Sequence, residues 1–233
     1  MFFRAEIRHL DIATRMSRRF GSVGWVMLCL CLALLSSIAA PDLDKTQALA
    51  LQRYGPAAAE SVAAWRRMLE EARPLSDPEK LAKVNTFFNR RILFKSDQEV
   101  YHQEDYWASP LEFMGIGAGD CEDFSIAKYV SLQMIGIDNQ HLRMIYVRAK
   151  TGSLPAVAHM VLGYYPQPTD EPLILDNLVK EVKPASQRPD LEPVYSFNDD
   201  DIWLPSGNTR KGGASQVRLW RELLEKLAKE QRL

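Results

Sequence analysis

Residues 117–124 read Gly-Ala-Gly-Asp-Cys-Glu-Asp-Phe and place a thiol between glycines and acids where the chain turns helical. From Cys121 onward, Phe124, Ala127, Val130 and Ile135 recur at helical spacing, and Gly136 closes the run. The pattern predicts a helix beginning at or beside Cys121. A thiol in a first helical turn meets the positive end of the aligned peptide dipoles, which favours the thiolate. Gly117 and Gly119 allow a sharp turn and a close approach by a substrate. Taken locally, the same residues also describe a small buried side chain at a helix start.

Outward from this stretch the elements segregate. Upstream, 57–72 and 78–91 have helical spacing, with Leu81, Val84 and Phe88 on one face of the second and Ser76 or Asp77 as its N-cap. Between them and Cys121 lies 95–119, read as a loop rich in polar and aromatic residues. Downstream, strand-like runs cover 142–149, 157–165 and 172–176, with 178–183 as a short further strand and 213–232 as an amphipathic terminal helix. Helices followed by antiparallel strands make one α+β domain. No repeat or low-complexity segment interrupts it.

The strands supply partners for the thiol. His159 stands inside the apolar run VAHMVLGYY, where a buried imidazole needs a partner. Asp176 closes the apolar run PLILD. If 157–165 and 172–176 fold about the Gln167–Pro168 peptide, His159 falls opposite Asp176, with Cβ atoms about 4.5–5.5 Å apart. A nucleophile at a helix start, a base on a strand and a carboxylate beside it form a Cys–His–Asp arrangement. His102 and His141 read as solvated surface residues.

Composition narrows the class. The 233 residues are 46% hydrophobic and 25% charged, ordinary for a globular chain, and the net charge of −1 gives no basic field for a nucleic-acid partner. Residues 22–40 form an uncharged apolar run preceded by Arg15, Arg18 and Arg19, with Ser37 and Ala39 at −3 and −1 of a cleavage point. That is the pattern of a secretory signal covering 1–39, with Met16 as an alternative start; a membrane anchor is the competing reading. Domain 40–233 then retains Cys121 alone of the three cysteines.

Acids crowd the thiol. Asp120, Glu122 and Asp123 flank Cys121, and one charge at about 7 Å costs a thiolate roughly 2 kcal/mol at an effective dielectric of 20. They read either as helix-capping groups or as hard oxygen donors for calcium. The run Asn198–Asp201 reads as a solvated loop.

The stretches WASPLEFMGIGAGDCEDFS, AHMVLGY and LILDNL resemble the bacterial transglutaminase-like cysteine peptidases, most closely their LapG-type periplasmic adhesin proteases, over about residues 75–205. The resemblance implies a papain/transglutaminase-like fold with Cys121 as nucleophile, His159 as base and Asp176 as orienter. It implies calcium dependence through Asp120 and Glu122, and less directly Asp123. It also implies a periplasmic endopeptidase that cuts a large biofilm adhesin near its N-terminus at a pair of alanines. An inner-membrane receptor for cyclic di-GMP would sequester such an enzyme. Trp107, by the same resemblance, would shape the oxyanion region; its plainer role is core packing beside Phe113. Competing expectations keep the triad but transfer the acyl group to an amine, act on another periplasmic amide, or leave a catalytically silent calcium-responsive binding module.

Overall fold

A computed structural model describes residues 42–150, 152, 155–204 and 217–232. The expected signal and its cleavage point lie outside these residues, as does the start of the predicted terminal helix. Helices come first: α1 (Leu43–Tyr54), α2 (Pro56–Ala72) and α3 (Asp77–Arg91). Pro56 occupies the first turn of α2, where its missing N–H costs nothing. Ser76 and Glu79 form a capping box that starts α3 one residue before the predicted boundary.

The segment 95–119, expected to be a loop, is largely structured. A two-residue strand β1 (Leu93–Phe94) leads to the single helical turn α4 (Asp97–Val100). Then come α5 (Pro110–Ile116) and a second short strand, β2 (Ala118–Gly119), which pairs parallel with β1. Gly117 ends α5 in the left-handed conformation at φ 76°, a position only glycine takes without strain. These pieces are too short to show periodicity, and capping boxes at Ser96–Glu99 and Ser109–Glu112 define them instead.

The nucleophile's helix, α6, spans Cys121–Met134, and Gly136 beyond it takes φ 93°. β3 (Leu142–Ala149) and β4 (Val157–Tyr164) follow, within a residue of expectation. β5 (Leu173–Leu175), β6 (Lys183–Pro184), β7 (Leu191–Phe197) and β8 (Ile202–Trp203) complete an antiparallel sheet ordered β6-β5-β4-β3-β7-β8. The strand expected at 178–183 is reduced to Lys183–Pro184. β7 has no counterpart in the sequence expectation. Pro193 interrupts its pattern, and the fold accommodates that proline at a bulge, where the register shifts between Tyr146 and Val147 of β3. The last helix, α7, is Arg218–Arg232.

One core fills the space between helices and sheet. Trp65, Phe88, Phe113, Tyr129, Leu162, Phe197 and Trp220 are buried in it. The Trp65 indole donates to Ser131 Oγ at 2.8 Å, tying α2 to α6, and Ser125 Oγ donates to the Met160 carbonyl at 3.2 Å, docking α6 on β4. This last contact sets the helix start against the strand that carries His159. The opposite face of the sheet holds a smaller apolar cluster of Ile145, Val147, Val161 and Ile174.

Candidate active site

Cys121 is the first residue of α6, with Asp120 as its N-cap. It lies partly buried in a cleft of about 450 Å³ whose walls include Trp107, Glu122, Tyr146, His159, Tyr195 and Leu219. The Met160 amide of β4 stands beside the sulfur, and His159 lines the same cleft. The thiol donates to Glu122 Oε2 at 3.0 Å.

His159 Nε2 and Asp176 Oδ1 are 2.9 Å apart, both side chains being almost wholly buried. The register that joins them differs from the expected one. β4 pairs Leu162 with Leu175 and Gly163 with Ile174, so the residue opposite Asp176 on the continued ladder is Val161, two positions from His159. A slip of two keeps side chains on the same face, whereas a slip of one would have separated them. His159 and Asp176 therefore meet diagonally across the end of β5.

Asp176 is held from every side. Its Oδ1 also accepts the Leu178 N–H at 3.0 Å, its Oδ2 accepts Arg188 Nη2 at 2.7 Å, and its backbone carbonyl accepts Asn89 Nδ2 of α3 at 2.7 Å. Burial alone would raise its pKa, but the hydrogen bond and charge of His159, the Leu178 amide and Arg188 together bring it down to about 2. An ionised carboxylate at Nε2 fixes the proton on that nitrogen and leaves Nδ1 as the basic position of a neutral ring.

The acids form two overlapping groups. Oxygens of Asp97, Asp120 and Asp123 lie within 4.8 Å of one another, and so do oxygens of Asp97, Asp105 and Glu122. Asp97 and Asp105 were not foreseen. They lie on or just after the one-turn helix α4, far upstream in the chain, and the capping box beginning at Ser96 is the nearest local signal. Asp123 is wholly buried; Oδ1 accepts the Ala108 amide at 2.8 Å and Oδ2 the Asp120 amide at 3.4 Å. The residues that cap α6 are thus among the oxygens close enough together to share a cation.

Asp97 Oδ1 and Asp120 Oδ1 are buried without a hydrogen-bond partner. A bare buried carboxylate oxygen is costly, and oxygens at this spacing suit a cation bound at about 2.4 Å. The residues present fit calcium, with buried Asp97 and Asp123 and half-buried Asp120 as one trio. Without a cation, burial and mutual repulsion raise Asp97 to about 6 and Asp120 to about 8, and hold Asp123 well above the usual carboxylate range. The thiol responds in kind. Burial first, then the charges of Glu122 and Asp120, push Cys121 far above its ordinary value, against the helix dipole and the Met160 amide. The dipole expectation is thus outweighed by burial first and the carboxylates second.

Trp107 stacks on Phe197 at 5.9 Å and meets Trp220 edge-on at 6.3 Å, so its packing neighbours are these rings rather than Phe113. Its indole donates to Asp105 Oδ1 at 3.1 Å. The run at 198–201 is a turn in which Asn198 Oδ1 accepts the amides of Asp200 and Asp201.

A thiol at a helix start beside an antiparallel sheet with a His–Asp pair defines a cysteine peptidase of transglutaminase-like fold. Residues 59–196 match the family of bacterial transglutaminase-like cysteine proteinases, and the chain belongs to that family. Solved structures of Legionella pneumophila LapG are 38% identical over 80% of this chain and 98% of theirs, with a TM-score of 0.69. The same protein treated with EGTA gives a TM-score of 0.71, and its calcium-bound form 0.69, both at 38% identity. No curated protein matches the chain.

Proposed function

We propose that this chain is a calcium-dependent endopeptidase in which Cys121 attacks, His159 carries the proton and Asp176 orients the ring. The observation that carries this reading is the buried His159–Asp176 pair at 2.9 Å, whose His159 lines the cleft that holds Cys121. The unprotonated Nδ1 takes the thiol proton as sulfur bonds to the scissile carbonyl carbon. The carbonyl oxygen gains the negative charge, and backbone N–H groups of the first turn of α6, which carries the sulfur, are the donors this reading assigns to it. Collapse of the tetrahedral species breaks the C–N bond, and the imidazolium returns its proton to the departing amine. Water, deprotonated by the same imidazole, then hydrolyses the thioester and restores the thiol.

Calcium, when bound by Asp97, Asp120 and Asp123, supplies positive charge that offsets the carboxylates around the thiol and fixes the loop ahead of it. The paired calcium-bound and EGTA-treated structures of the Legionella relative support this part of the reading. In the same reading the chain is exported by its N-terminal segment and works in the periplasm. It trims the N-terminal region of a large surface adhesin, and an inner-membrane cyclic di-GMP receptor holds it inactive. These assignments extend the resemblance carried by the sequence motifs and the signal-like pattern of residues 1–39.

The test uses residues 40–233 with a peptide containing paired alanines, in calcium or excess EGTA, followed by product mass. Hydrolysis adds water, and transfer adds an amine. We expect calcium-dependent hydrolysis that is lost in Cys121→Ala and His159→Ala. Equal cleavage and equal alkylation of Cys121 in EGTA would overturn the metal's role; cleavage by Cys121→Ala would overturn the nucleophile's.

A further inference from the structure

We propose that Arg188 is a positioning residue for catalysis, holding Asp176 in the one orientation and charge state that keeps the proton on His159 Nε2. The inference rests on reading His159 and Asp176 as base and orienter. Arg188 follows the 3₁₀ turn Ala185–Gln187, far from Cys121 in the chain and outside any recognisable motif. Its backbone is pinned on both sides: the N–H donates to the Ala185 carbonyl at 2.9 Å, and its carbonyl accepts the Leu191 amide at 3.1 Å. The side chain is 3% exposed.

The guanidinium is oriented before it reaches Asp176. Nε and Nη2 bond Asp190 Oδ1 and Oδ2 at 2.9 and 2.7 Å, a planar fork on a planar carboxylate. Nη2 then bonds Asp176 Oδ2 at 2.7 Å. Because Oδ1 is already shared by His159 and Leu178, this bond stops the carboxylate from turning about Cβ–Cγ. A rigid chain runs Asp190–Arg188–Asp176–His159.

The titratable and charged groups facing Asp176 are His159 from β4, Arg188 and Asp190 from beyond the 3₁₀ turn and Lys128 from α6. Lys128 is fully buried, and its Nζ has no hydrogen-bond partner. Arg188 is therefore the cation that touches Asp176. Without it, a carboxylate with no solvent exposure loses one donor and gains reason to hold a proton. A protonated Asp176 would donate to Nε2, move the ring proton to Nδ1 and leave no base facing the cleft. An orienter of the wrong hydrogen-bonding sense costs such enzymes their general base while leaving the geometry intact.

The experiment compares wild type, Arg188→Met, Arg188→Ala, Arg188→Lys and His159→Ala over residues 40–233 in calcium at pH 7. Ring ¹⁵N NMR of His159 reads the tautomer, and iodoacetamide alkylation reads Cys121. We expect wild type to show the Nε2–H form and Arg188→Met to shift toward Nδ1–H. Alkylation should fall about 100-fold, the low end of what a general base supplies. Methylguanidinium added to Arg188→Ala should restore part of it. An unchanged tautomer and rate in folded Arg188→Met would overturn the proposal. If Arg188→Met does not fold, Arg188→Lys decides: it keeps the charge without the fork, and wild-type behaviour in both readouts would overturn the positioning role. Failure of the triad itself would show separately, as His159→Ala alkylating like wild type.

Discussion

Asp176 shows how much one residue's surroundings decide. Asp176→Asn preserves shape but cannot accept from His159, Leu178 and Arg188 together. We expect a fall in peptide hydrolysis on the order of 10⁴-fold, measured as kcat at saturating calcium. Lys128 makes the opposite point. Burial brings its ammonium down to about 7, with the charge of Asp176 pulling the other way. A base depressed in the fold binds fewer protons than its unfolded counterpart between about 7 and about 10.4. This group therefore adds stability as pH rises through that window. Lys128→Met should remove the slope and raise the melting temperature at pH 7, since a buried charge gives way to packed carbon. Melts at pH 7 and 9 check both, and an unchanged slope would contradict the assignment. Sequence placed Cys121, His159 and Asp176 because each breaks a local pattern. Asp97 and Arg188 break none; each lies beside a one-turn or 3₁₀ segment, where three or four residues are too few for periodicity to speak.

Elements tell a similar story about what a chain discloses locally. α2, α3, α6, β3 and β4 are long enough to show their period, and their boundaries follow from caps and glycines. β7 escaped because its proline sits where the ladder is already broken by a bulge. The hairpin register was displaced by two because its turn carries several prolines, whose fixed φ constrains the loop but does not set the pairing. The displacement was harmless to the site only because strands repeat every two residues. The short element β2 carries a sharper constraint. A Cβ on Gly119 would stand 2.3 Å from Asp123 Oδ2 and 2.8 Å from the Phe113 ring. Gly119→Ala must displace a buried carboxylate, proposed above to bind calcium, or a core ring, at about 1–3 kcal/mol. We expect a lower urea midpoint together with weaker calcium binding by calorimetry. Wild-type affinity in the variant would show that the backbone yields without moving Asp123.

For the whole molecule, the acid cluster couples stability to proton concentration and, on the proposed calcium role, to calcium as well. Asp97 and Asp120 have folded pKa values of about 6 and 8, above an unfolded value near 3.9. Between those limits the fold binds more protons than the unfolded chain, so without metal this stability is lost as pH rises. Calcium binding to the folded state opposes the loss by mass action. In EGTA the melting temperature should fall from pH 5 to pH 8, and the rise on adding calcium should be larger at pH 8. Equal calcium shifts at the two values would exclude these carboxylates as ligands.

The closing helix α7 carries a consequence in time. Trp220 is wholly buried against Tyr129, Phe197 and Trp107, while Lys226 bonds the Trp107 carbonyl and Glu230 accepts from Ser109. The segment leading into the nucleophile is thus latched by residues that follow it by a hundred positions or more. A chain emerging N-terminus first makes its thiol early and its latch late. Until α7 arrives, the aromatic wall beside the cleft lacks Trp220, so the segment that precedes the thiol is secured only when the last helix docks.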